Sequence, residues 1–387
     1  MSFFADWLED KENRFSVFLF FILFFSFFGI GHLILVRDIS SDLQLHAGYC
    51  RMMNKGEFPY TGIFLMFFIV NIISGFSTDF ITLYYVLACL VSTGFASKGV
   101  LIFRLINSLA GIMKSFWFSL GSMIYFGIPV LFFVRNRYFY VSNQTPNVFH
   151  SSSAILVAPL TLILFFLQIS YWRGKKVLGW ICLVIFLTAS IKPSFLLVYL
   201  AVTPFFSIWR FGFNREFFSS LIPCIFLVFI LVIQAVLIYF IQYGVLETDN
   251  SHIIVSFFDY WSFFYPEKYF LYSCIGGFFF PICFWLVTID QSKSISFYYS
   301  GFLVFVSLLI FIFFSETGAR RFHGNFGWQT IFAHNALLVV CLREMFRLEV
   351  KGLLPNRKKT MLYSIFSIHV LCGLIYLYRF LVLKDYN

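Results

Sequence analysis

Charged residues are scarce in this chain. Asp, Glu, Lys and Arg together make up 12% of its 387 residues, against about a quarter in an ordinary soluble domain. That shortage, beside 60% hydrophobic residues, excludes a freely soluble globule and leaves no room for a separate soluble domain. The cysteines lack any CxxC pair or zinc-ligand spacing; Cys89, Cys182, Cys224, Cys283, Cys341 and Cys372 stand inside apolar runs as small packing residues. No His/Glu spacing supports a catalytic metal, and none is expected. There is no GxSxG elbow, Walker loop or dinucleotide fingerprint, so no cofactor is expected either. Period-two alternation is missing from the apolar runs, which disfavours a transmembrane β-barrel. The first apolar run has charged flanks and no small-residue cleavage site, so it is expected to remain as a helix rather than leave as a signal peptide.

What the chain has in abundance is phenylalanine, 59 residues of it, with a mean hydropathy of +0.86. Its Phe-rich runs are about 17–25 residues long, the length a helix needs to cross a bilayer. In hydrocarbon only helices or closed barrels satisfy their own backbone. The expected fold is all-α, a polytopic transmembrane helical bundle of about 12–14 helices, forming a single integral membrane domain over residues 1–387. Spans are expected near 15–35, 59–76, 117–135, 153–171, 217–244, 270–289, 297–315, 329–346 and 361–383, with 1–14 as a short surface helix. The run 177–209 reads as two short helices joined at Lys192-Pro193-Ser194, because proline breaks the helical ladder. The stretch 78–114 reads as two short spans, 79–96 and 98–114. A single span there leaves Lys98, Arg104 and Lys114 opposite the other basic clusters, unless the N-terminus is inverted; the two-span reading with a cytoplasmic N-terminus is preferred.

The net charge of +10 does not point to nucleic acid. The basic residues form short clusters between apolar runs, such as Arg173/Lys175/Lys176, Arg210/Arg215 and Arg357/Lys358/Lys359, as cytoplasmic loops of membrane proteins do. With the N-terminus in the cytoplasm, four polar segments gather on the outer face: 36–58, 136–152, the Lys192 turn with 246–269, and 315–328. Chemistry is expected there.

The first outer loop, 36–58, is expected to hold an amphipathic helix. Within it Asp42 and His46 share a helical face, and a carboxylate beside an imidazole can serve as a general base for a sugar hydroxyl. The same residues also read as an ordinary helix start, with Asp38 or Ser40 as cap and His46 solvated. The Arg/Gly-rich loop 315–328 brings Glu316, Arg320, Arg321, His323, Asn325 and Trp328 together with three glycines. It suits a shaped loop that grips phosphate with Arg forks, or alternatively a basic patch for anionic headgroups. Lys192 deep in an apolar stretch either snorkels or meets an anion. Asn143, Gln144, Asn147 and His150 can form a polar rim, although His150 reads equally as an interfacial cap. Asp249, His252, Asp259 and Glu267, with Trp261, suggest a segment lying along the membrane surface. His32, His334 and His369 sit within helices and read as packed residues.

The stretch RDISSDLQLHAGYCRMMNKGEFPY (37–60) runs from an acidic residue through an amphipathic helix to a Gly and a Pro before the second apolar run. In this it resembles the first outer loop of the GT-C superfamily of membrane glycosyltransferases. PNVFHSSSAILVAPL (146–160) is similar to a PNxWHNP(T/S)-type motif of some bacterial members, with Phe149 in place of Trp and Ser151-Ser152 in place of Asn-Pro. Lys192-Pro193-Ser194 and RRFHGNFGW (320–328) are similar to what the family carries there. The resemblance implies a bacterial, polyprenyl-phosphate-sugar-dependent transferase or a related polysaccharide polymerase. It implies that Asp42, or else Asp38, activates the acceptor hydroxyl, with His46 beside it. Lys192, Arg320 and Arg321 would hold the donor phosphate, and Asn147, His150, His323 and Asn325 would line the substrate site. The implied partners are a lipid-linked sugar donor, a glycan acceptor and the lipid bilayer, at the outward face of a bacterial inner membrane. A transporter or flippase of lipid-linked sugars is the alternative. Only one broken helix pair, near Lys192, speaks for it, with no matching partner elsewhere in the chain.

Overall fold

A computed structural model describes residues 10–57, 64–130, 144–237, 253–264, 266–291, 293–317 and 326–384. In chain order its elements are α1 (Lys11–Val36), α2 (Asp42–Asn54), α3 (Leu65–Ile73), α4 (Phe80–Ala110), α5 (Ile112–Ile124), α6 (Ser152–Trp172), α7 (Leu178–Ile191), α8 (Ser194–Phe211), α9 (Arg215–Ser220), α10 (Ile222–Val236), β1 (Ile253–Val255), α11 (Asp259–Phe264), α12 (Phe270–Val287), α13 (Ile295–Phe313), β2 (Phe314–Glu316), α14 (Trp328–Val350) and α15 (Asn356–Tyr378). Among the described residues, eight helices are long and apolar enough to cross a membrane, the short α9 and α10 counting as one. The protein is an integral membrane helical bundle. Phe18, Phe21 and Phe25 stand exposed along α1, as expected of side chains facing lipid.

Local signals in the sequence explain several boundaries. Asp10 caps α1, its carboxylate accepting from the Glu12 N–H at 2.9 Å. Lys11–Arg14, expected to belong to a separate surface helix, are instead the first turn of α1. The Lys192-Pro193 turn does separate two helices, α7 and α8. The only described sheet is small: β1 pairs antiparallel with β2, Ile254 opposite Ser315.

Two expected spans are corrected. The run 59–76 does not cross: α3 has nine residues, about 14 Å of helix against a hydrocarbon core of about 30 Å. Asn54 at the end of α2 donates to Asn71 Oδ1 (3.0 Å) and to the Ser77 carbonyl (2.8 Å), so the end of α2 and the residues after α3 lie at the same end of the bundle. The stretch 78–114, in turn, is not two short spans. Phe80–Ala110 is one unbroken helix of 31 residues.

That helix, α4, lies antiparallel to α1. Tyr84 Oη donates to the Gly31 carbonyl at 2.7 Å, and near the other end Arg104 reaches Ser16 Oγ at 3.2 Å and Asn13 Oδ1 at 2.7 Å. Because α3 does not cross, Arg104 and Lys114 fall at the same end as the other basic clusters. Lys114 pairs there with Glu349 at 2.7 Å, Arg210 Nε reaches the Trp172 carbonyl at 3.3 Å, and Lys358 reaches the Val287 carbonyl at 2.8 Å. We term this end the basic face. The opposite end collects 36–57, 144–151, Lys192, the β1–β2 pair and the start of α14.

α14 is the most enclosed helix, buried along most of its length and packed against α4, α6, α8, α12 and α13. Enclosure by protein rather than lipid is what lets it carry Gln329, Thr330, His334 and Asn335 at buried positions. Gly94 permits the close contact of α4 with α6: a Cβ there would stand 2.9 Å from Leu156 Cα.

One polar link crosses the middle of the bundle. Lys98, buried on α4, donates to Asn147 Oδ1 at 2.6 Å, while Asn147 Nδ2 donates to the carbonyls of Ser122 (2.8 Å) and Tyr125 (2.7 Å). Removing this amide leaves a buried ammonium and two carbonyls without partners. Asn147→Ala is therefore expected to destabilise the fold by about 3 kcal/mol, read as a lowered midpoint in thermal unfolding in detergent; an unchanged midpoint would mean the link is not structural.

Candidate functional site

The site begins with the local chemistry of α2. Ser41, in extended conformation, precedes the helix, and Gln44 Oε1 accepts from its N–H at 3.2 Å, the return arm of a capping box. The cap is thus Ser41, not Asp38 or Ser40. Leu43, Ala47, Cys50 and Met53 bury one face of α2. Asp42 and His46, one turn apart, are half-buried and face the segment that leads into α6.

That segment supplies the second wall. The Asp42 N–H donates to the His150 carbonyl at 3.0 Å, and His46 Nδ1 lies 2.6 Å from Ser152 Oγ. The His46 ring stands edge-on to Phe67 of α3, with centroids 5.5 Å apart. The α7–α8 turn brings in Lys192, whose Nζ lies 3.5 Å from Ser153 Oγ and 4.4 Å above the Trp328 ring. The indole of Trp328 is in turn 6.0 Å from the His150 imidazole. Asp42, Ser152, Ser194 and Trp328 are the first residues of α2, α6, α8 and α14. Four helix N-termini therefore meet around Lys192, and their partial positive charges add to the ammonium in favouring an anion.

No protein-family model, curated protein or solved structure matches this chain.

Burial pulls the Lys192 ammonium down to a pKa of about 8, with Asp42 working against the shift. Burial also dominates at His46, lowering it to about 4; Asp42 raises it and Lys192 lowers it. His150 is lowered for the same reason, with the same two charges acting on it. At neutral pH both imidazoles are thus uncharged, each with one ring nitrogen able to accept a proton or hydrogen bond.

Of the residues singled out in the sequence, the structure brings together Asp42, His46, His150, Lys192 and Trp328. Asp38 is exposed on the turn before α2, at a φ of 51°, and it is Asp42 whose charge acts on both histidines and Lys192. Asn147 is buried, its amide bonded to Lys98, Ser122 and Tyr125, so it positions the segment carrying His150. Arg320, Arg321, His323 and Asn325 lie outside the described residues, as do Asn143, Asp249 and His252. Asp259 accepts from Ser315 Oγ at 2.7 Å, tying α11 to β2. Ser152 and Ser153 were not anticipated. The signal available was the motif itself, since Ser152 stands where the similar motif carries proline, and a hydroxyl there can bond what proline cannot.

The charge on Lys192 is present below a pH of about 8 and lost above it. Affinity for a short-chain lipid phosphate should fall as the pH rises through that value, and Lys192→Arg should flatten the fall. Calorimetric titration across the range reads both; a pH-independent wild-type affinity would remove Lys192 as the anion contact.

Proposed function

We propose that this protein is a membrane glycosyltransferase that moves a sugar or glycan from a polyprenyl-(pyro)phosphate donor to a cell-envelope glycan acceptor. The observation that carries the reading is the meeting of Asp42 and His46 with His150 and Lys192 at four helix N-termini, at the end opposite the basic face. In our reading the bias of Lys and Arg favours the cytoplasm for the basic face, which would open the site outward from a bacterial inner membrane. A lipid-linked sugar holds its phosphate at that interface and its apolar chain among the helices, beside a carboxylate and a cation.

In this mechanism Asp42 takes the proton of the acceptor hydroxyl, with His46 orienting it. The acceptor oxygen attacks the anomeric carbon, and the bond from that carbon to the phosphate oxygen breaks. The electron pair leaves on the phosphate, whose developing charge Lys192 and the helix N-termini stabilise. Arg320 and Arg321 are assigned to the same phosphate, the second cation suiting a pyrophosphate. No separate activation is needed, because the donor already carries a good leaving group.

Asp42→Asn keeps the shape of the side chain and removes the base. Transfer from a synthetic polyprenyl-phosphate sugar is expected to drop by about 100-fold or more, with the protein still inserted and folded; undiminished transfer would end the base assignment. Joint replacement of Arg320 and Arg321 by Ala should weaken donor binding. If liposomes containing the protein move labelled lipid-linked sugar across the bilayer without forming a glycosidic bond, the function is transport.

A further inference from the structure

The basic face holds a second cavity, remote from the site above. It has a volume of about 420 Å³ and lies between the end of α6, the start of α13 and the last turns of α14. Arg173, Lys293, Arg343 and Arg347 line it, and Glu344 is the one carboxylate among the lining residues. Leu109 and Val340 supply an apolar wall.

The charges do not cancel. Glu344 is committed to Arg347, whose Nε and Nη2 reach the same carboxylate oxygen at 2.8 and 2.6 Å. Lys293 donates to the carbonyls of Thr288 and Gln291, which are neutral. Arg343 lies 5.3 Å from the Phe166 ring centre, its Nε buried and without a hydrogen-bond partner. Arg173 is near enough to repel it. The N-terminus of α13 opens here as well, with the Ser294 and Ser296 hydroxyls 2.7 Å apart. Glu344 also acts on Lys293 and Arg343, and Asp290 acts on Lys293, yet the four cations face only these two carboxylates. With a helix start and two hydroxyls beside it, that positive excess suits oxyanion oxygens.

We propose that this cavity binds a phosphate group, supplied by the headgroup of an anionic phospholipid in the adjoining leaflet. A recess between helices at the headgroup level, cationic within and apolar on one wall, matches a phosphodiester with its acyl chains beside it. The site differs from the donor site in face, in residues and in the absence of an acid–imidazole pair, and it stands whether or not the protein transfers sugar.

The test uses the full chain, delipidated in detergent. Phosphatidylglycerol and phosphatidylcholine are titrated separately and counted by native mass spectrometry; inorganic phosphate is titrated by equilibrium dialysis. Phosphatidylglycerol is expected to bind in preference to phosphatidylcholine, and Lys293→Gln with Arg343→Gln to weaken it about tenfold or more. Arg173→Gln, at an exposed position that packing does not depend on, should weaken it in the same direction. Lys175→Gln with Lys176→Gln, on the same face but outside the cavity, should leave it unchanged. Binding of inorganic phosphate with the same sensitivity to the cavity variants would support the phosphate site and name the free ion as its source. Equal binding of the two lipids with no phosphate bound, or equal losses in the cavity and control variants, would overturn the proposal.

Discussion

The amide of Asn147 ties its own segment to two helices at once, taking a hydrogen bond from Lys98 on α4 and giving two to carbonyls at the end of α5. Irregular backbone at membrane depth survives only where protein groups replace the missing water. The segment 144–151 is irregular and largely buried among the helices, and this amide is its anchor. The same segment offers the His150 carbonyl to the Asp42 N–H and leads into the serines that meet His46 and Lys192. The placement of the acid and imidazole thus depends on a lysine that never approaches them. Phe149 assists, buried among Phe27, Phe95 and Tyr376.

Much of the architecture was legible because composition decides it. Long Phe-rich runs without alternation leave only helices, and a Lys-Pro-Ser triplet inside one of them marks the break between α7 and α8. The path of the chain was less legible. Hydropathy measures whether a segment tolerates lipid, not whether it traverses it, so 59–76 looked like a span although α3 turns back. The error then passed to its neighbour, since a false crossing before α4 requires a second false crossing to keep the charges on one side. Structure removes both at once, and Lys98, which looked like a topological difficulty, becomes the donor that fixes Asn147.

The candidate site was legible where its chemistry is local. Asp42 and His46 stand four residues apart on a helix, and that spacing alone puts them together. His150, Lys192 and Trp328 come from distant parts of the chain, and only their polarity at the edges of apolar runs drew attention to them. Ser152 and Ser153 were hidden by their ordinariness: serine near a helix start usually satisfies the backbone. Asp38 and Asp42 were indistinguishable by type, and the capping geometry at Ser41 separates them, leaving one on an exposed turn and the other against His150.

The short length of α7 has a consequence for the membrane around it. Its 14 residues extend about 21 Å, some 9 Å less than an average hydrocarbon core. A bilayer meets such mismatch by pinching inward or by admitting a dimple of water over the shortened end. With its start at the basic face, after Lys175 and Lys176, α7 would hold the ammonium at its tip in a recess below the opposite headgroup plane. A phospholipid diffusing past at ordinary height would pass over it, whereas a ligand drawn down into the depression would meet it.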